Sequence, residues 1–205
     1  AHILQELVNI LNEMNQEESI ESILDVGCGE GYYSREIKQL FNELDIMAFD
    51  ISKDSVQLAA KSDKDKSIKW FVGNLEDLPI KNHTIDVILD IYTPAYYAEF
   101  NRVLTKNGYI AKVIPGNDHL KEFREIAEDQ LQTENYSNKK VADYFSERYS
   151  VVHQQQVSKT YSMSQEEIRT FAEMTPLLFN VDKNKIDFSN MHELTISGEV
   201  LVGKL

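Results

Sequence analysis

The chain has 205 residues, 42% hydrophobic and 27% charged, a balance in keeping with an ordinary globular protein that has room for one sizeable core. No stretch approaches the ~20 apolar residues that span a bilayer, and the N-terminus lacks the basic-then-apolar profile of a signal peptide. One cysteine supports neither a disulfide framework nor a zinc cluster, which points to a reducing cytoplasm, and a formal net charge of −13 argues against tight, unaided binding to a phosphate backbone.

Residues 3–14 set Ile3, Leu4, Leu7, Val8, Leu11 and Met14 at helical spacing, so the chain opens on an amphipathic helix. A short apolar strand, 22–26, ends at a glycine-rich turn. The helix after it runs to about Phe41, with Ile37, Leu40 and Phe41 inward. Residues 45–51 form a second strand, and Ser52 is placed to cap a helix through Ala60. Strands follow at 68–72 and 84–91, then a helix carrying Tyr96, Phe100, Val103 and Leu104. After the punctuation of Gly108, residues 109–114 form a fifth strand.

Five alternations of strand and helix imply a doubly wound α/β architecture, a mostly parallel sheet with helices on both faces. Beyond Gly116 the rhythm changes. Residues 117–131 read as an amphipathic helix with Leu120, Phe123, Ile126 and Leu131 inward, and 133–143 as a polar loop. An exposed alternating strand follows at 149–161, a helix at 164–174 and a final alternating strand at 193–203. With no internal repeat or boundary, 1–205 reads as one domain: an N-terminal helix (1–20), a cofactor-binding half (21–116) and a substrate-side half (117–205).

Chemistry concentrates at Asp25-Val-Gly27-Cys-Gly29-Glu30-Gly31-Tyr32-Tyr33. In an open parallel sheet, ligands sit beyond the carboxyl ends of the strands at the switch point. A dinucleotide site uses G-x-G-x-x-G, whose helix N-terminus accepts a pyrophosphate. Here the spacing is one residue shorter and Glu30 stands inside the loop, where it would repel a pyrophosphate. The pattern suits a cationic ligand such as S-adenosyl-L-methionine, with Asp25 as a second carboxylate on the same side. Asp50, beside Ile51, ends the second strand 19 residues past Gly31, near the ~20-residue offset at which an acid holds ribose hydroxyls; the alternative is a plain helix cap. Asn74 and the Leu75 backbone, after the third strand, fall where an adenine ring would lie.

These residues resemble the class I S-adenosylmethionine-dependent methyltransferases: D-x-G-x-G-x-G, an acid ending strand two and a polar turn after strand three. The segments "DVGCGEGYYSREI", "IYTPAYYAEFNRVLTKNGYIAKVIPGNDHLKEF" and "EMTPLLF" resemble, more narrowly, the bacterial 23S rRNA (guanine-N1)-methyltransferases over nearly the whole chain. The resemblance implies a Rossmann-like fold with seven strands and an antiparallel C-terminal strand, S-adenosyl-L-methionine as cofactor and ribosomal RNA as partner. It puts Gly29, Glu30 and Gly31 around the methionine end of the cofactor, with Tyr32 nearby and His119 at the cofactor pocket.

The sequence departs from the family in two ways. Family members carry an N-terminal zinc-binding module that helps to engage RNA; this chain has none, so either it is a fragment or it recognises its substrate differently. Where the family has an aromatic that approaches the cofactor, the chain reads Ala1, His2 and Ile3, and nothing is carried across.

For the chemistry, Asp90, Tyr92 and Pro94 occupy the end of the fourth strand. D-I-Y-T-P-A-Y loosely resembles the D-P-P-Y loop of amino methyltransferases, and Tyr92 is placed to stack on a base. Guanine N1 is a poor nucleophile until it loses its proton; Asp90 is the nearest candidate base, or else a solvated or helix-terminal carboxylate. Lys139, Lys140, Arg148 and Lys159 sit among acids as a solvated face, so an RNA substrate would call for a separate basic module or a second subunit, a homodimer included. Two readings compete with RNA methylation: a methyltransferase for a small metabolite, and a cofactor-binding subunit without catalysis.

Overall fold

The computed structural model describes residues 2–131 and 138–205. Among them one sheet holds β1 (Ser22–Val26), β2 (Asp45–Asp50), β3 (Ile68–Val72), β4 (Ile85–Ile91), β5 (Leu104–Pro115), β6 (Ser150–Ser162) and β7 (Glu193–Lys204). Their order is β3-β2-β1-β4-β5-β7-β6. The first five strands pair in parallel and β7 runs antiparallel between β5 and β6. The chain works outward from β1 to β3 and then returns to lay β4 on the other side of β1. That reversal opens a crevice between the β1 and β4 ends, the place where such sheets bind ligands.

Helices cover both faces, so the central strands read as near-continuous apolar runs rather than alternating ones. On one face α1 (His2–Glu17) and α2 (Tyr32–Leu40) pack Leu7, Ile10, Leu11 and Ile37 against Ile23, Val87, Leu89 and Val113. The α3 helix (Lys53–Ser62) begins at Ser52, whose hydroxyl accepts the Ser55 N–H as a helix cap does. On the other face α4 (Tyr97–Val103) and α6 (Lys139–Ser146) pack Phe100 and Phe145 against Leu24, Ile88 and Ile110. A third cluster joins α5 (Lys121–Ile126) and α7 (Gln165–Met174) to the start of β7 through Phe123, Ile168, Leu178 and Leu194. No helix of the described residues is long and apolar enough to cross a membrane.

The structure corrects the sequence reading at four places. Leu40 points outward at 62% exposure, because α2 ends there and only Phe41 turns back to the core. Leu104 opens β5, pairing with Ile85, instead of closing α4. The helix expected over 117–131 shrinks to Lys121–Ile126, since the turn through Gly116 and a left-handed Leu120 delays its start. Of the loop expected over 133–143, the part to 137 lies outside the described residues, Asn138 stands at a helix N-cap, and 139–143 belong to helix α6. A polar surface masks that helix in the sequence, and it is held by two inward residues, Ala142 and Phe145. Gly203 of β7 makes room for the Phe145 ring, where a Cβ would come within 2.7 Å. Phe145→Ala is expected to lower stability by about 3–5 kcal/mol, read from the urea midpoint at unchanged m; a loss below ~1 kcal/mol would mean that this anchor is absent.

Candidate active site

The loop between β1 and α2 is shaped by close approach. Gly27, Gly29 and Gly31 all have left-handed backbones, with φ of 64°, 54° and 75°. At Gly27 a Cβ would stand 2.5 Å from the Thr93 hydroxyl, and at Gly31 one would stand 2.3 Å from the Trp70 ring. These two glycines seat the loop against β4's end and against β3. At Gly29 a Cβ would meet nothing within 4 Å, so this stretch of backbone faces open space and can be approached by a ligand.

Asp50 fixes the loop from the side. Its carboxylate accepts the Gly29 N–H at 2.9 Å and the Ser52 N–H at 2.8 Å. The cap of α3 is Ser52, not Asp50, which disposes of the simpler reading of that aspartate. Each carboxylate oxygen keeps a lone pair for a further donor. Ile51 beside it is 78% exposed. The turn after β3 hangs from the same residue, since the Gly73 N–H donates to the Asp50 carbonyl at 3.1 Å. There Asn74 is exposed and accepts the Glu76 N–H, while Leu75 packs against the second core. Glu30 is exposed, and Tyr32 lies edge-on to Tyr33 with ring centroids 5.2 Å apart.

Asp25 sits differently from the open carboxylate that its place before the loop suggests. It is 2% exposed, and its carboxylate accepts the Ser34 hydroxyl of α2. Burial pushes its pKa up to about 7, against the side-chain and backbone hydrogen bonds with Ser34 that lower it. It braces the loop from beneath.

The acceptor side is built by the ends of β4, β5 and β7. Tyr92 has a left-handed backbone, φ 55°, which aims its ring out of the strand. Its hydroxyl donates to the Ser197 carbonyl at 3.1 Å, and its ring lies 5.3 Å from that of His119. The Ser197 N–H in turn donates to His119 Nδ1 at 3.2 Å, so the neutral ring carries its proton on Nε2. Burial lowers the His119 pKa, which favours that neutral form. Ser197 thus ties together two site residues that the sequence separates, and nothing in its local sequence signals this.

Asp90 is not at the mouth. It is fully buried, and its Oδ2 accepts Lys112 Nζ at 2.6 Å. Burial raises its pKa to about 6, while Lys112 works against the shift. The reading of Asp90 as a solvated carboxylate fails because β4 is covered by α4 and α6. A cavity of about 590 Å3 opens above the pair, lined in part by Tyr92, Pro94, Tyr97, Lys112, Val141 and Tyr144.

Residues 23–108 match a family model described as a methyltransferase domain. The chain is 30% identical over 191 residues to the Bacillus subtilis (strain 168) protein YxjB, provisionally named a 23S rRNA (guanine-N1)-methyltransferase; the match covers 89% of this chain and 66% of YxjB. It is 22% identical over 183 residues to the 23S rRNA (guanine(748)-N1)-methyltransferase of Streptomyces fradiae, covering 86% of this chain and 64% of that protein. This chain belongs to the class I S-adenosylmethionine-dependent methyltransferases. It spans just under two thirds of the length of those two relatives. A crystal structure of a methyltransferase from Methanosarcina mazei shares the fold, with a TM-score of 0.58 at 16% identity over 91% of this chain and 93% of that one.

Membership implies S-adenosyl-L-methionine as the cofactor, and the methyltransferase loop fits it. An open left-handed Gly29 and a carboxylate at Asp50 with spare lone pairs, with Glu30 exposed beside them, suit a ribose and a cationic amino acid. The buried Asp25 gives a test of the loop's bracing. Its folded-state pKa of about 7 lies above the ordinary 3.8, so its stabilisation is full below pH ~3.8 and is lost as the pH rises through ~7. Asp25→Asn keeps an acceptor for Ser34 without the charge. It is expected to raise the thermal midpoint at pH 8 by roughly 5 °C or more over the wild type. The gap should close as the pH falls toward 4; a gap independent of pH would contradict the assignment.

Proposed function

We propose that this chain is the catalytic part of an enzyme that methylates N1 of a guanine in 23S ribosomal RNA in the cytoplasm. The observation that carries the reading is the exposed Tyr92 ring, held beside the glycine loop by Ser197 and His119. Its support is the likeness to the two rRNA-methyltransferase relatives over most of the chain. Within one domain, residues 21–116 form the cofactor-binding half, which also carries Tyr92 and Pro94, and 117–205 form the substrate-side and C-terminal half, which also carries His119.

When bound, the cofactor supplies an electrophilic methyl carbon on a positively charged sulfur. What the chain contributes is placement. Gly29, Glu30, Gly31 and Tyr32 hold the methionine end, Asp50 and Ile51 the ribose, and Asn74 and Leu75 the adenine. Gly27 packed on Thr93 keeps that cradle against the acceptor mouth. Tyr92 offers its ring to a flat base, a contact worth about 1–3 kcal/mol, and Pro94 borders it. Holding guanine N1 about 3 Å from the methyl carbon and in line with the departing sulfur accounts for most of the attainable acceleration. His119, neutral and with a proton on Nε2, donates into the cofactor pocket. A chain of net charge −13 needs a basic module or a second subunit to hold RNA firmly.

Incubation with S-adenosyl-L-methionine labelled in its methyl group, in the presence of 23S rRNA or of a small-molecule extract, tests the reading. Label on N1 of a guanine in the RNA is expected; label only in the extract, or binding without transfer, would overturn it. His119→Ala is expected to weaken cofactor binding about tenfold, the scale of one buried hydrogen bond, in a calorimetric titration. Unchanged affinity would remove His119 from the pocket.

A further inference from the structure

Lys112 is a charged residue on an interior strand. Its neighbours on the same face of β5 are Ile110 and Ile114, and its side chain is 4% exposed. A buried ion pair costs desolvation that an apolar pair of the same volume would not, so packing alone gives no reason for it. The pair is also incomplete. Asp90 Oδ1 is buried with no hydrogen-bond partner among the described residues, and the Lys112 ammonium, with three N–H groups, gives one to Asp90 and none to any other described residue.

Lys112 forms part of the wall of the cavity above. Its other walls are mainly tyrosine rings, prolines and aliphatic side chains, with Thr93, Asn138 and Lys140 among them, and its volume of about 590 Å3 falls within the ~300–1,000 Å3 of small-ligand sites. Thr93 lines it and also packs on Gly27 of the cofactor loop, so the cavity adjoins the place where the methyl group is delivered. Flat, mainly apolar walls with a cation fixed by a buried carboxylate, Lys112, suit a ring that presents a carbonyl oxygen. They do not suit one that presents an amino group at the same position, which would set donor against donor.

We propose that Lys112 is a specificity-determining residue of the acceptor site: its ammonium, aimed by the buried Asp90, donates to the exocyclic O6 of a guanine ring seated against the tyrosine walls of this cavity. This rests on the reading of the acceptor as a guanine. Asp90 is then a positioning residue, which explains why an acid at the end of β4 lies beneath the mouth and not in it. Lys112 has no sequence motif to announce it; its role follows from the register that sets it opposite Asp90.

The full chain, saturated with S-adenosylhomocysteine, is titrated by NMR with guanosine monophosphate, inosine monophosphate and 2-aminopurine riboside monophosphate. Inosine keeps O6 and lacks the 2-amino group; 2-aminopurine lacks O6. The wild type is expected to bind the first two alike and the third about tenfold more weakly, the size of one hydrogen bond to a charged group. Asp90→Leu with Lys112→Met replaces the pair by apolar volume and guards against misfolding; it should keep the thermal midpoint and bring the ratio to about one. Lys112→Arg should retain part of the preference, and Asp90→Asn should reduce it with Lys112 still present. A wild type that binds all three alike, or a double variant that still prefers guanine tenfold, overturns the proposal. Neither result touches methyl transfer to RNA, measured separately with labelled cofactor. Conversely, a chain that discriminates as expected yet labels no RNA keeps the O6 site and loses only the RNA reading.

Discussion

The upper end of the sheet depends on how closely the chain passes its neighbours after β1. Gly27 lies against Thr93 and Gly31 against Trp70, both at distances that leave no space for a side chain. Those two contacts set the loop between the ends of β3 and β4 and leave Gly29 as the one glycine of the three facing outward. Asp50 can then reach the Gly29 N–H and hold the loop from β2. A side chain at either packed position would push the loop off β3 or β4 and separate the cofactor cradle from the acceptor mouth.

Two buried aspartates show how the same residue type does different work when its partner changes. Asp25 meets no cation, only the hydroxyl and backbone of Ser34, and burial holds its pKa near neutrality, so it braces the loop at little electrostatic cost while protonated. Asp90 meets an ammonium. Its charge is partly compensated, and the pair keeps a fixed cation at the edge of a cavity whose walls are mainly aromatic and aliphatic. In a low-dielectric setting such a cation is a strong discriminator between ligands, because an unmatched partner leaves it without compensation.

The C-terminal half completes the site from a distance. Ser197, on β7, accepts from Tyr92 and from the Gly116 N–H and donates to His119. Placing β7 antiparallel beside β5 brings these groups together, and it holds a left-handed Tyr92 that an isolated strand end would not keep. The acceptor mouth therefore inherits its rigidity from the strand that the chain adds last.

The sequence by itself determined the alternation of strands and helices, the crevice at the β1 and β4 ends, and the nature of the cofactor. Those follow from periodicity and from short-range chemistry, such as an acid inside a glycine loop and another at the end of the next strand. It could not reveal α6, whose anchoring rests on two inward side chains in a polar stretch, nor the true end of α2 at Leu40. Only the tertiary structure decided that Asp90 is buried on Lys112, that Asp25 supports the loop from below, and that Ser197 joins Tyr92 to His119. Each of those depends on strand register and on which face a neighbouring helix covers, and residues 22 or 105 positions apart carry no local mark of the partner they will meet.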